Sequence, residues 1–257
     1  MMSAYSSKIS PVVAILAGGL ATRLLPATET IPKSMLMVAG EPFIGHQLRM
    51  LSRQGLSNVV ICGGHLMEQI GGFVGDGSRF GSRVRYSSDG VRLLGTGGAI
   101  RHALPLLGAR FFVLYGDSYL TAPMVPVLHV FLSCGQPALM TVLRNRGQWD
   151  VSNVEFAAGR IVRYDKHAAW TSMEHIDYGL SIFSEEIFRC WPEGSVFCLS
   201  ALQSNLVARD EMAAFEVHER FYEIGSTHGW METDAFLRAQ GCAEKRLINR
   251  PGEGVTA

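Results

Sequence analysis

The chain alternates short unbroken apolar runs with longer stretches in which apolar residues recur at helical spacing. Val12 to Leu16, Asn58 to Cys62, Phe111 to Tyr115 and Ala138 to Leu143 are the runs. Continuous runs bounded by turn residues suit strands buried on both faces of a parallel sheet. Between them lie helical patterns. Glu41-Pro42 opens one, with Phe43, Ile44, Leu48 and Leu51 on its apolar face and Gly55 at its end. Another runs from His65 to Phe73, a third from Leu94-Gly95 toward Leu107, and a fourth from Ala122 to Leu132, where Pro126 is expected to kink or delay it. Arg83 to Ser87 reads as a more polar strand. Strand and helix in strict alternation predict a doubly wound α/β sheet.

After Leu143 the pattern changes. Ser152 to Phe156 and Arg160 to Tyr164 read as a hairpin around Ala157-Ala158-Gly159. A strand begins at Asp177, and Ser184 caps a short helix carrying Glu185 and Glu186. Cys198 to Arg209 is helical, Phe215 to His218 extended, and Thr227 caps a helix to about Gln240. The expected organisation is a loose N-terminus (1–10), one domain (11–240) with halves at about 11–135 and 136–240, and a C-terminal tail (241–257).

Composition narrows the class without naming it. The chain has 257 residues, 47% hydrophobic and 18% charged, enough for one sizeable core. Its net charge is +0 and its pI about 7.1, so bulk charge gives no reason to expect a nucleic-acid or membrane partner. The five cysteines are scattered with no C-x-x-C pair, the pattern of reduced thiols in a cytoplasmic protein. No stretch has the length of a membrane span or the look of a signal peptide. The histidines lack a metal spacing such as H-E-x-x-H, and there is no G-x-S-x-G elbow.

Anion chemistry must therefore come from local placement. Leu16-Ala17-Gly18-Gly19 ends the first strand, and Arg23 and Lys33 follow on a loop whose one acid is Glu29. Bare glycine N–H groups with two fixed cations can cradle a triphosphate. The Walker A pattern is absent. Gly95-Thr96-Gly97 opens a helix, a geometry that also suits anions, though such turns equally serve close packing. Asp117 stands at the carboxyl end of a buried strand, where open α/β sheets take ligands, and could alternatively cap the next turn.

The whole stretch L-A-G-G-L-A-T-R-L-L-P-A-T-E-T-I-P-K resembles the signature of the sugar-1-phosphate nucleotidyltransferases. The family usually has Gly where this chain has Ala21. The resemblance runs from Val12 to about Leu237. It implies a Rossmann-like, mostly parallel mixed sheet of the GT-A-like nucleotidyltransferase kind in three αβα layers. It implies NTP and sugar-1-phosphate substrates, Mg2+ as cofactor, and transfer of a nucleotidyl group with release of pyrophosphate for glycan precursor synthesis. A homodimer is compatible with it.

Residue by residue, the resemblance implies catalytic Arg23, Lys33 and Asp117, and nucleotide contacts at Leu16, Ala17, Gly18, Gly19, Gly95, Thr96 and Gly97. It implies sugar-phosphate contacts at Lys166, Asp177, Tyr178 and Gly179, and metal ligands Asp117 and Glu223. Asp177-Tyr178 stands where relatives have Asn with a small residue, and Glu223 where they have Asp. The small heptose-1-phosphate and mannose-1-phosphate guanylyltransferases are the most similar group, which favours GTP. R-L-L-P-A-T-E-T-I-P-K-S-M-L also resembles the UTP-dependent hexose-1-phosphate enzymes, which leaves UTP or dTTP open. A catalytically weak regulatory relative is a further alternative. A glycosyltransferase would more often carry D-x-D, and Asp117-Ser118-Tyr119 lacks the second acid.

Overall fold

The computed structural model describes residues 11–18, 30–90, 92–166 and 170–248. The predicted parallel core forms from β1 (Val12–Leu16), β4 (Asn58–Gly63), β5 (Arg83–Ser88) and β6 (Arg110–Tyr115). These run parallel in the order β5-β4-β1-β6. Two-residue strands β2 (Met37–Val38) and β3 (Glu41–Pro42) make a small antiparallel pair beside them. Pro42, expected as the first helical residue, is instead the N-cap of α1 (Phe43–Arg53), so the helix starts one residue later than expected. Helix α2 (Met67–Val74) starts two residues after the expected His65, because Leu66 takes a left-handed φ of 57°. Helix α3 spans Gly95–Leu107.

β7 (Ser118–Leu120) follows β6 directly. Helix α4 (Val125–Cys134) begins late, with Pro126 in its first turn, where the missing N–H costs nothing. The rest of the chain turns the sheet antiparallel. β8 (Ala138–Arg144), the hairpin β9 (Val154–Ala157) and β10 (Arg160–Tyr164), and the long β11 (His175–Ser184) follow. β11 runs antiparallel to both β6 and β8. The hairpin turn is the expected one, with Ala158 at φ 50° and Gly159 at φ 77°. A single turn α5 (Glu186–Arg189), then α6 (Leu199–Ala208), β12 (Met212–Val217), β13 (Phe221–Glu223) and α7 (Thr227–Ile248) complete the order. Among the described residues the main sheet has nine strands, with β12 parallel to β8 at one margin.

Strand periodicity divides the core into two layers. Val13 and Ile15 of β1 face one cluster, with Phe43, Ile44, Leu48 and Leu51 of α1 and Ile70 of α2. Ala14 and Leu16 face the other, with Ile100, Ala103 and Leu107 of α3, Phe188 of α5 and Leu202 of α6. Helices therefore cover both faces, giving the expected αβα layers. One consequence matters for the site. All four parallel strands end at the same edge, so the segments after β1, β4 and β6 converge there.

Candidate active site

The strand ends are locked together by their own backbone. Ala17 donates to Cys62 O at 2.8 Å, and Gly116 donates to Leu16 O at 3.0 Å. A Cβ on Gly18 would lie 2.9 Å from Gly63 Cα, so glycine here lets adjacent strand ends touch. On this platform Asp117 leaves β6, and Lys33 rises from a short 3-10 turn, Lys33–Met35. Lys33 Nζ stands 3.0 Å from Asp117 Oδ2. Both groups are partly exposed, so the pair contributes little stability. It presets a cation beside a carboxylate at a cavity wall.

Glu223 reaches the same place by a different route. β13 pairs antiparallel with β7, setting Glu223 opposite Ser118, and Ile224 N–H donates to Asp117 O at 2.9 Å. Glu223 Oε1 accepts from Ser226 Oγ at 2.6 Å, and Oε2 accepts from the N–H groups of Gly225 and of Ser226. The carboxylate thus sits against the N-terminus of α7, where negative charge is favoured. A Cβ on Gly225 would meet Glu223 Oε2 at 2.7 Å, Lys33 Nζ at 3.5 Å and Asp117 Oδ2 at 3.6 Å. Those groups therefore surround one point.

Two cavities open on either side of Asp117. The first, of about 410 Å³, is lined by Leu16, Ala17, Gly18, Gly95 and Thr96 among others. The second, of about 340 Å³, is lined by Asn153, Asp177, Tyr178, Gly179 and Glu223 among others. Lys33, Tyr115, Asp117 and Lys166 line both. They form the partition between the two.

Lys166 is held at this partition by its Nζ lying 4.4 Å from the Tyr115 ring centroid. The Tyr115 hydroxyl is bonded to Tyr164, and Tyr164 Oη donates to Asp177 Oδ2 at 3.3 Å. Burial pushes both phenols well above their ordinary pKa, with the Asp177 charge adding to the rise. Burial also raises the Asp177 carboxyl, and the Lys166 ammonium opposes that rise. Asp177 Oδ1 accepts from Gly179 N–H at 3.0 Å, and Asp177 N–H donates to Asn153 Oδ1 at 2.8 Å. The β11–β8 register slips between Asp177 and Ser181, and Gly179 takes φ 94° in that bulge.

Several expected residues also have partners within the protein. The N–H groups of Gly97 and Gly98 donate to Phe197 O at 3.0 and 3.3 Å. Two donors of the α3 N-terminus are thus already spent on the protein. Gly95 and Thr96 line the first cavity, whereas a Cβ on Gly97 would meet the Phe197 ring at 2.3 Å. Phe197 is itself stacked on Trp191 at 4.1 Å. Tyr178 is buried, and its hydroxyl accepts from Thr121 N–H and Ala122 N–H, both at 3.1 Å. Gly19 and Arg23 lie outside the described residues.

Other residues gave no motif signal. Tyr115 reads as the last apolar residue of a buried run, and only the fold sets its ring beneath Lys166. Asp89 lines the first cavity, accepting from Leu94 N–H at 3.2 Å through Oδ2. Its Oδ1 is buried with no partner among the described residues. Burial raises its pKa. Among the described residues no group of three or more His, Cys, Asp and Glu is disposed around a metal. Asp117 and Glu223 offer hard carboxylate oxygens at one cavity, a donor set that suits a divalent ion sharing its remaining positions with phosphate and water.

Comparison with known proteins matches residues 12–148 to the nucleotidyl transferase family model. An N-acetylmuramate alpha-1-phosphate uridylyltransferase of Neisseria meningitidis serogroup B is 44% identical over 104 residues, covering 40% of this chain and 45% of the relative. A D-glycero-alpha-D-manno-heptose 1-phosphate guanylyltransferase of Campylobacter jejuni is 34% identical over 105 residues, covering 41% and 47%. The chain thus spans about half the length of these curated relatives. Among solved structures, HddC of Yersinia pseudotuberculosis complexed with GMP-PN superposes with a TM-score of 0.74 at 22% identity, over 88% of this chain and 99% of that one.

The clamp on α3 is open to test. A Cβ on Gly98 would lie 2.3 Å from Ser195 O. Gly98→Ala should therefore lower the unfolding free energy by about 1–3 kcal/mol through overpacking, against a helix-propensity gain of about 1 kcal/mol. Denaturant midpoints measure the net effect, and a stabilised variant would show that the glycine is not required by packing.

Proposed function

This chain belongs to the nucleotidyl transferase family, and from that premise we propose that it transfers a nucleotidyl group from an NTP to a sugar 1-phosphate, releasing pyrophosphate. One observation carries the proposal: two cavities of about 410 and 340 Å³ share the partition of Lys33, Tyr115, Asp117 and Lys166. A triphosphate in the first and a sugar phosphate in the second would meet there.

An oxygen of the sugar phosphate attacks the α-phosphorus. The new P–O bond forms as the bond from the α-phosphorus to the bridging oxygen of pyrophosphate breaks, and the electron pair leaves with the pyrophosphate. The attacking group is already an anion, so no general base is needed. The protein's task is to bring two anions together and hold them aligned. Lys33 faces the α-phosphate from the partition. Lys166, steadied over Tyr115, draws in the sugar phosphate. Arg23 would hold the triphosphate and the leaving pyrophosphate. Asp117 and Glu223 would hold Mg2+, which when bound offsets phosphate charge.

For the base we favour guanine, and for the sugar a heptose or mannose type. Asp89 supports the base: its side chain lines the first cavity, and a carboxylate there suits the adjacent N1–H and N2–H donors that guanine presents. UTP is the second reading, favoured by the uridylyltransferase relative at 44% identity.

Purified protein with Mg2+, each nucleoside triphosphate in turn and a pool of sugar 1-phosphates should release pyrophosphate with GTP. Release with UTP or dTTP alone would overturn the base assignment, and release with none would favour a regulatory relative. Asp117→Asn should lower turnover by at least about a hundredfold, and near-normal turnover would remove the metal assignment. Lys166→Ala should raise KM for the sugar phosphate more than KM for the triphosphate, and the reverse order would place Lys166 on the nucleotide side.

A further inference from the structure

Asp177 carries a formal charge at a place that the transfer reaction does not require one. It lines the second cavity on the sugar side of the partition. Its two oxygens accept from Gly179 N–H and Tyr164 Oη, so both neighbours act as donors and the group is oriented as a carboxylate acceptor. The bulge in β11 fixes its backbone, and Asn153 Oδ1 takes its N–H. Each oxygen retains acceptor capacity for a ligand. Asp150 stands at the exposed rim of the same cavity, in a loop tied by Asn145 Nδ2 donating to Asp150 O at 2.6 Å.

The cations are distributed differently. Among the described residues lining this cavity, the cationic side chains are Lys33 and Lys166, and both stand at the partition. Lys33 is paired with Asp117. Lys166 is the cation whose field reaches Asp177, and a bound sugar phosphate would draw on that same charge. Beyond the phosphate, a ligand therefore meets Asp177 and Asp150. A hydroxyl donor there gains a charge-assisted hydrogen bond. A second carboxylate there meets like charge in a partly desolvated site.

We propose that Asp177 is a specificity-determining residue that admits neutral, hydroxyl-rich sugar 1-phosphates and rejects sugars bearing a carboxylate. This rests on the sugar-phosphate reading of the second cavity and narrows it to a substrate class. It also separates this chain from a relative whose name specifies N-acetylmuramate, a carboxylate-bearing sugar. Selection of this kind works by repelling the wrong ligand as well as by attracting the right one.

The test uses matched pairs that differ in a carboxylate: glucose against glucuronate 1-phosphate, and N-acetylglucosamine against N-acetylmuramate 1-phosphate. Binding to the full chain is measured by calorimetry with a non-hydrolysable triphosphate present, so it does not depend on turnover. Wild type should bind the neutral member at least about tenfold more tightly in one or both pairs, and Asp177→Asn should shrink that ratio by about tenfold. Asp177→Asn keeps the shape and an acceptor for Gly179 N–H. If it fails to fold, Asp150→Asn should shrink the ratio in the same direction by a smaller factor. Equal binding within both pairs, a preference for the acid, or a ratio unchanged in the folded variant would overturn the inference. A neutral preference without pyrophosphate release from any pair would instead overturn the transfer reaction and leave the charge selection standing.

Discussion

Everything at the site depends on the short pairing of β7 with β13. Asp117 and Glu223 are far apart in sequence, and Ile224 N–H on Asp117 O with Glu223 opposite Ser118 brings them to one edge. The pairing is short, but it is backed by packing. Phe221 lies edge-on to Trp149 and to Tyr178, and the Tyr178 hydroxyl ties down Thr121 N–H and Ala122 N–H just beyond β7. Tyr178 therefore serves the site by fixing the ribbon from which Asp117 departs.

A second constraint is the balance between charge and desolvation at the partition. Lys33 and Asp117 remain partly exposed, which avoids the cost of burying ions. Desolvation raises the Tyr115 and Tyr164 phenols, so they stay protonated, with the Asp177 charge acting in the same direction. Tyr164 Oη donates onward to Asp177 Oδ2. The same Tyr115 ring faces Lys166. One aromatic residue thus links the cation at the partition to the carboxylate on the sugar side, and a change at Asp177 is expected to reach Lys166.

Glycine has two distinct uses here. At Gly18 and Gly98 it permits backbone to approach backbone, as the close contacts to Gly63 Cα and Ser195 O require. At Gly179 it permits a φ of 94° in the bulge that aims Asp177. The glycines that open α3 look from sequence like a bare anion cradle. In the fold, part of that cradle is filled by Phe197 O.

What the sequence determined by itself was whatever depends on local pattern. The apolar runs and helical spacing specified β1, β4, β6, β8 and α1 to α4 within a few residues, because burial and backbone propensity act over neighbouring positions. Long motifs marked Lys33, Asp117 and Lys166 as chemically charged positions, and these meet at one partition. The sequence could not show β7 and β13, since three-residue strands carry no periodicity and exist through their partner. Nor could it show that Tyr115 supports Lys166, that Asp89 lines the first cavity with one buried, unpartnered oxygen, or that Phe197 occupies the start of α3. Those are meetings between distant segments. Only the closed tertiary structure decides them, because the cost of desolvating a group depends on everything packed around it.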